Sequence, residues 1–277
     1  MIDSITDSAT LHNGVEIPWL GFGTFQLTGA TAERAVTWAL DVGYRSVDTA
    51  AVYHNEVEVG AAIRNSGVAR EEIFLTTKVW NTDQGYDATM SAFEASLERL
   101  GTDYADLYLV HWPVEGMFGE TWRALEELHS TGRARAIGVS NFLVHHLEEL
   151  LKGAHVVPMV NQVEFHPRLQ QPKLQAFCRD HGIRLEAWRP IMKGGVLDIP
   201  ELVEIGQGVG KSAVQVTLRW MIQKGVVAIP RSSQREHVEA NADIFDFELT
   251  PEQMGLIDDL DRDMRTGEDP DNFDFGS

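Results

Sequence analysis

The chain has 277 residues, 43% hydrophobic and 23% charged, enough to bury a large core and the length of one (β/α)8 barrel. A net charge of −19 argues against nucleic acid as a partner, because phosphate backbones are held by clustered Lys and Arg. No stretch approaches the roughly 20 apolar residues of a membrane span, the start Met1-Ile2-Asp3-Ser4 is not signal-like, and a single cysteine, Cys178, rules out an intramolecular disulfide.

In chain order, Thr10–Pro18 with Asn13-Gly14 at its centre predicts a hairpin with a type I′ turn, placed to cap the bottom of a barrel. Strands are expected around Trp19–Gly23, Arg45–Asp48, Ile73–Thr77, Ala105–Val110, Ala134–Val139, Pro158–Val163, Ile183–Ala187 and Val226–Ile229. Helical patterns fall at Ala88–Leu100, Thr121–Ser130, Leu143–Lys152, Lys173–His181 and Ser212–Gln223. Pro251–Leu260 reads as a terminal helix with Thr250 as its N-cap. The acidic tail Asp261–Ser277 reads as a flap or loose end.

Strands alternating with helices predict a parallel sheet, and eight strands close a barrel. An open doubly wound sheet would want a Gly-x-Gly-x-x-Gly turn after an early strand, which the first sixty residues lack. No interior segment resembles a linker, so residues 1–277 read as one α/β domain, a (β/α)8 TIM barrel with a hairpin cap.

Barrel enzymes carry their chemistry at the C-terminal ends of the strands. Those ends offer Asp48, Lys78 and His111, with Tyr53 five residues beyond Asp48. Reduction of a carbonyl by hydride needs a proton donor for the developing alkoxide. A tyrosine serves if a neighbouring ammonium favours its phenolate and lowers its pKa toward neutrality, and a carboxylate keeps that ammonium charged. Lys78 and Asp48 fit those roles, and His111 would orient the substrate oxygen. Taken singly, each has a plainer reading, Asp48–Lys78 as a buried ion pair and His111 as a strand exit; together they form a group.

The motifs are Gly43-Tyr44-Arg45-Ser46-Val47-Asp48-Thr49-Ala50, Thr76-Thr77-Lys78-Val79-Trp80-Asn81, Asp106-Leu107-Tyr108-Leu109-Val110-His111-Trp112-Pro113, Ile137-Gly138-Val139-Ser140-Asn141-Phe142 and Asn161-Gln162-Val163-Glu164-Phe165-His166-Pro167. On these the sequence resembles the aldo-keto reductase superfamily over nearly its full length. Its nearest likeness is the small bacterial branch of glyoxal/methylglyoxal and 2,5-diketo-D-gluconate reductases. The resemblance implies Asp48, Tyr53, Lys78 and His111 as the catalytic group, cofactor binding first and no metal.

It also implies that Ser140, Asn141 and Gln162 hold the nicotinamide carboxamide and that Trp188 stacks on the ring. Gly23, Thr24 and Asp48 join the cofactor site. Many relatives have Ser-Pro-Leu where this chain has Arg189-Pro190-Ile191, so Arg189 and Ile191 are assigned to the pyrophosphate region. Arg231, Ser232, Ser233, His237 and Asn241 match the adenosine 2′-phosphate site. There Arg231 replaces the usual Lys, His237 the usual Arg, and Ala240 a Glu that contacts adenine. NADPH is the expected cofactor, with NADH use also expected. Phe22, Trp80, His111 and Trp112 match the substrate pocket, which the short C-terminal end should leave open to small carbonyl compounds. A cytoplasmic monomer without membrane or nucleic-acid partners is expected.

Two other signals carry no chemistry. Gly206-Gln207-Gly208-Val209-Gly210-Lys211-Ser212 lacks the first glycine of a P-loop, since position 205 is Ile205; it reads as a loop with a helix starting at Ser212. His145-His146, followed by Glu148-Glu149, fits an exposed helix face better than a metal site. A metal-dependent barrel enzyme would need more His, Asp or Glu at strand ends than Asp48, His111 and Glu164. An idle cofactor-binding barrel would not need the whole catalytic group.

The acidity has a consequence of its own. A carboxylate-rich surface repels itself, and salt relieves this by shortening the screening length from about 10 Å at 0.1 M to about 3 Å at 1 M. The melting temperature is expected to rise from low to molar sodium chloride. A flat or falling midpoint in a calorimetric salt series would show that the charge serves solubility alone.

Overall fold

The computed structural model describes residues 2–273. A two-stranded antiparallel hairpin, β1 (Ser8–Thr10) and β2 (Glu16–Pro18), precedes eight parallel strands. These are β3 (Phe22–Gly23), β4 (Ser46–Asp48), β5 (Phe74–Val79), β6 (Ala105–Val110), β7 (Ala134–Ser140), β8 (Val160–Glu164), β9 (Arg184–Trp188) and β10 (Val227–Ala228). Each bonds to the next in chain order. The sheet then closes on itself, because the Gly21 N–H donates to Ala228 O at 2.9 Å and the Ala228 N–H to Trp19 O at 3.0 Å. The result is the expected (β/α)8 barrel.

Around it run α1 (Gly29–Val42), α2 (Glu56–Asn65), α3 (Tyr86–Leu100), α4 (Phe118–Ser130), α5 (Val144–Leu151), α6 (Pro172–Asp180), α7 (Pro200–Val209), α8 (Ala213–Gln223), α9 (Arg235–Ala242) and α10 (Pro251–Asp258). In α1 the buried residues Ala32, Ala35, Val36, Ala39 and Leu40 follow helical spacing, which lays one stripe on the barrel. Thr250 caps α10 as expected, its hydroxyl accepting the Gln253 N–H at 3.2 Å. Ser212 caps α8 in the same way. The segment read as a loop before Ser212 is instead the end of α7, which Pro200 starts at its first turn and Gly210 ends with φ 72°.

The hairpin turn also differs from expectation. Gly14 alone has positive φ, 86°, and its N–H donates to Leu11 O, so the connection is longer than a two-residue type I′ turn. Asn13 is held elsewhere: its amide donates to Arg135 O at 3.0 Å, beside the start of β7. That contact places the hairpin under the barrel's N-terminal end.

Strand alternation divides the chemistry from the packing. Asp48, Lys78, Gln162 and Glu186 bond to one another inside the barrel. Residues one step away face the helices, as Thr77 does in donating to Glu56 of α2 at 2.6 Å. Cys178 of α6 is buried with the Asn161 amide 4.0 Å from its sulfur, and burial pushes its thiol up to about 12. No helix among the described residues is long and apolar enough to cross a membrane.

Candidate active site

At the C-terminal end of β4, Asp48 accepts both contacts of the Lys78 ammonium, at 2.7 and 2.8 Å. Lys78 comes from β5 and gives a further hydrogen bond to Thr49 O at 2.9 Å. Both side chains are buried. Burial alone would drive the lysine toward neutrality, but the attraction of Asp48, Tyr53 and Glu186 outweighs it and holds the pKa above its usual value. The ammonium is thus a fixed charge at any working pH.

Tyr53 ends a single 3₁₀ turn, Ala51–Tyr53, which His54 closes in the left-handed region. Its ring centroid lies 5.1 Å from Lys78 Nζ. Asn55 steadies this loop from below, donating to Thr24 O and Leu27 O and accepting the Thr49 hydroxyl at 2.6 Å. The expected lowering of the phenol does not prevail in the ligand-free site. Burial raises its pKa more than Lys78 lowers it, so Tyr53 is a protonated phenol at neutral pH.

His111, from the end of β6, meets Tyr53 edge-on with centroids 5.7 Å apart and Trp80 edge-on at 5.2 Å. Burial, then Lys78, press its pKa well down. The imidazole is neutral at pH 7, a single N–H donor rather than a second cation. All four residues expected to form the catalytic group are therefore brought to one place.

The residues assigned to the cofactor divide into two kinds. Gln162 donates both amide hydrogens inward, to Asp48 Oδ2 at 2.8 Å and Glu186 Oε2 at 2.7 Å, leaving its oxygen to accept. Asn141 donates to His111 O and Ser140 Oγ and accepts from Trp188 Nε1 at 2.8 Å. That bond fixes the indole at the end of β9. Ser140 donates to Gln162 O at 2.9 Å. Exposed Arg231 is tethered to Phe25 O at 2.8 Å, with Ser232 buried beside it, Ser233 and His237 exposed, and Asn241 buried on α9. Ile191 packs partly buried against the core. An aromatic face at one end and an arginine with hydroxyls at the other fit a nicotinamide dinucleotide.

One assignment changes and two gain a structural role. Thr24 has its hydroxyl and its N–H both committed to Asp48 O, and the Gly23 N–H is spent on Pro230 O, so this pair shapes the loop beside the site. A Cβ on Gly23 would stand 3.0 Å from Ile229 O, which is why the strand crossing needs glycine. Phe22 points outward and is buried edge-on against Tyr44, a core residue and not a pocket wall. Phe25 takes the place by Tyr53, with centroids 5.1 Å apart. Arg189 reaches the carbonyl of Thr266 in the tail.

The tail is neither loose nor absent from the site. Glu164, at the end of β8, accepts the Thr266 hydroxyl at 2.5 Å and the N–H groups of Thr266 and Gly267. Burial would raise this carboxyl, but hydrogen bonds from His166 and Thr266 outweigh it and keep it ionised. Further on, Phe273 stacks on Trp112 at 4.3 Å with the rings 3° from parallel. One face of Trp112, expected to line the substrate pocket, is thus covered by the tail; residues 274–277 lie outside the described part. Asp271 meets His145 at 3.1 Å and His146 at 3.5 Å. The Leu143 N–H donates to His146 Nδ1, which puts that ring's proton on Nε2, toward Asp271. The ring so held is neutral, its pKa pressed down by burial and by His145, and it offers Asp271 an N–H rather than a charge.

Residues 19–262 match the profile of the aldo/keto reductase family. The chain belongs to the aldo/keto reductase family. It is 56% identical to the glyoxal reductase of Bacillus subtilis over 276 residues, covering 99% of this chain and 100% of that protein. It is 51% identical to the 9,11-endoperoxide prostaglandin H2 reductase of Trypanosoma cruzi, covering 95% of each. Among solved structures, a point mutant of Gox0644 in complex with NADPH superposes with a TM-score of 0.93 at 41% identity, covering 96% of this aldo/keto reductase and 98% of that chain. The constellation of Asp48, Lys78, Tyr53 and His111 therefore lies in a barrel of the aldo/keto reductase family.

Proposed function

We propose that this aldo/keto reductase converts small aldehydes and ketones, dicarbonyls such as methylglyoxal or keto-sugar acids among them, to alcohols with NADPH. The observation that carries the reading is the convergence of a protonated phenol, a paired ammonium and a neutral imidazole at one barrel end. The cofactor, when bound, supplies the hydride. Ser140, Asn141, Gln162 and Trp188 would hold its nicotinamide end, and Arg231, Ser232, Ser233, His237 and Asn241 its adenosine end.

The chain's own part is the proton. Tyr53 donates its hydroxyl hydrogen to the carbonyl oxygen as negative charge develops there. Lys78 stabilises the phenolate left behind, and Asp48 keeps Lys78 charged and pointed. His111 donates one N–H to the same oxygen and sets the face presented, between the rings of Trp80 and Trp112. A panel of small carbonyls assayed with NADPH and NADH, ranked by kcat/KM, tests the reading. Cofactor oxidation that persists in a chelator is expected; a silent panel would refute it.

His237 also makes a prediction. It is exposed and has no permanent charge, where an arginine would give a charge-assisted bond to a 2′-phosphate. His237→Arg is expected to improve the Kd for NADPH relative to NADH by roughly tenfold, modest because solvent screens the site. Fluorescence titration with both cofactors measures the ratio, and an unchanged ratio removes His237 from the phosphate site.

A further inference from the structure

Glu186 is a carboxyl that the reaction above does not use, yet it sits in the same network. It lies on β9, paired in register with Gln162 of β8 on one side and Val227 of β10 on the other. Its side chain is 1% exposed. Oε2 accepts one hydrogen of the Gln162 amide at 2.7 Å, while Asp48 accepts the other at 2.8 Å. Turned the other way, the amide would press its oxygen against the Asp48 carboxylate, so the bridging orientation is the one the chemistry allows.

The charges around Glu186 can be counted. Asp48 on β4 repels it and Lys78 on β5 attracts it; its register neighbours Gln162 and Val227 carry no charge. Lys78 is already bound at two oxygens of Asp48 and at Thr49 O, so no direct bond from it reaches Glu186. Glu186 Oε1 has no partner among the described residues. An ionised oxygen left so would be far more costly than a neutral one.

We propose that Glu186 is a positioning residue held neutral, whose proton, linked through Gln162, sets the net charge of the network around the Asp48–Lys78 pair and hence the pH range over which Tyr53 acts as an acid. Burial first, and the repulsion of Asp48 second, push its pKa up to about 8. Below that pH the site holds Asp48 and Lys78 as a neutral pair. Above it Glu186 releases its proton to solvent, and the added negative charge offsets Lys78. A weaker positive field disfavours the Tyr53 phenolate, so Tyr53 keeps its proton to higher pH.

The kinetic consequence rests on the proposed carbonyl reduction; the protonation state rests on the geometry alone. Difference infrared spectroscopy of the full chain across a pH titration reads the latter without turnover. The carbonyl band of a protonated carboxyl should be present at neutral pH, vanish as the pH rises through about 8, and be missing from Glu186→Gln. That variant keeps an acceptor for Gln162 and removes the proton.

In Glu186→Gln the basic limb of the kcat/KM profile for carbonyl reduction should move to lower pH by about one unit, because the late negative charge never arrives. Linkage gives a second readout. A carboxyl raised from 4.5 to about 8 binds its proton more tightly folded than unfolded. Its stability contribution is full below the lower value and is lost as pH rises through the upper one. The wild type should lose stability over that window and the variant less. Absence of the band at neutral pH in the wild type overturns the protonation, and an unmoved basic limb in an active, folded variant overturns the positioning role. If the wild type showed the band but reduced no carbonyl, the reduction reading alone would fall.

Discussion

Tyr53→Phe is expected to lower kcat for carbonyl reduction by about 10²–10⁴-fold while leaving the Kd for NADPH nearly unchanged. The substitution removes one hydroxyl and keeps the ring that Phe25 and His111 pack against. The loop keeps its shape as well, since Asn55 and the 3₁₀ turn hold it through backbone contacts. What disappears is the hydroxyl proton of a ring whose centroid lies 5.1 Å from Lys78 Nζ. Single-turnover kinetics with a good aldehyde, beside fluorescence titration of cofactor, separate the two effects. Retention of more than about a tenth of wild-type kcat would assign the proton to another group, given the usual size of general acid catalysis.

Lys78→Met should damage both activity and the fold. Asp48 would remain buried with only the Gln162 amide hydrogen in place of an ammonium at two oxygens. Breaking a buried pair by removing one partner costs about 3–5 kcal/mol, because a charge is left without compensation. The double variant Lys78→Met with Asp48→Asn should recover much of that stability and none of the turnover. Denaturant unfolding and steady-state assays on the three proteins test this. If the single variant unfolds like the wild type, the pair is not what holds these two strands' ends in place.

The sequence made the catalytic group legible because barrel chemistry falls at strand ends, and Asp48, Lys78 and His111 each follow an apolar or β-branched run. The fold was legible for the same reason: strand and helix periods alternate without interruption. What escaped were decisions made by tertiary context. Phe22 and Phe25 are three residues apart, and only the register of β3 against Val47 of β4 shows that Phe22 faces the helices. The commitments of Thr24 and Gly23 depend on how the loop folds back onto Asp48. Glu186 did leave a signal, a charged residue between Leu185 and Ala187 in a buried strand. The tail left almost none, because Glu164 binds it through backbone N–H groups that any sequence can offer and one hydroxyl, that of Thr266.

The lone cysteine bears on durability. Reactive aldehydes and dicarbonyls add to thiolates, and an enzyme proposed to reduce them would be exposed to its own substrates. Cys178 meets neither condition for attack: it is shut inside α6, and burial keeps its sulfur protonated far above neutral pH. Electrophiles therefore find no thiolate of Cys178 at the surface to begin from, and the exposed Met117 and Met264 are sulfur atoms left open to peroxide. With no second cysteine in the chain, no internal disulfide can form to distort the barrel.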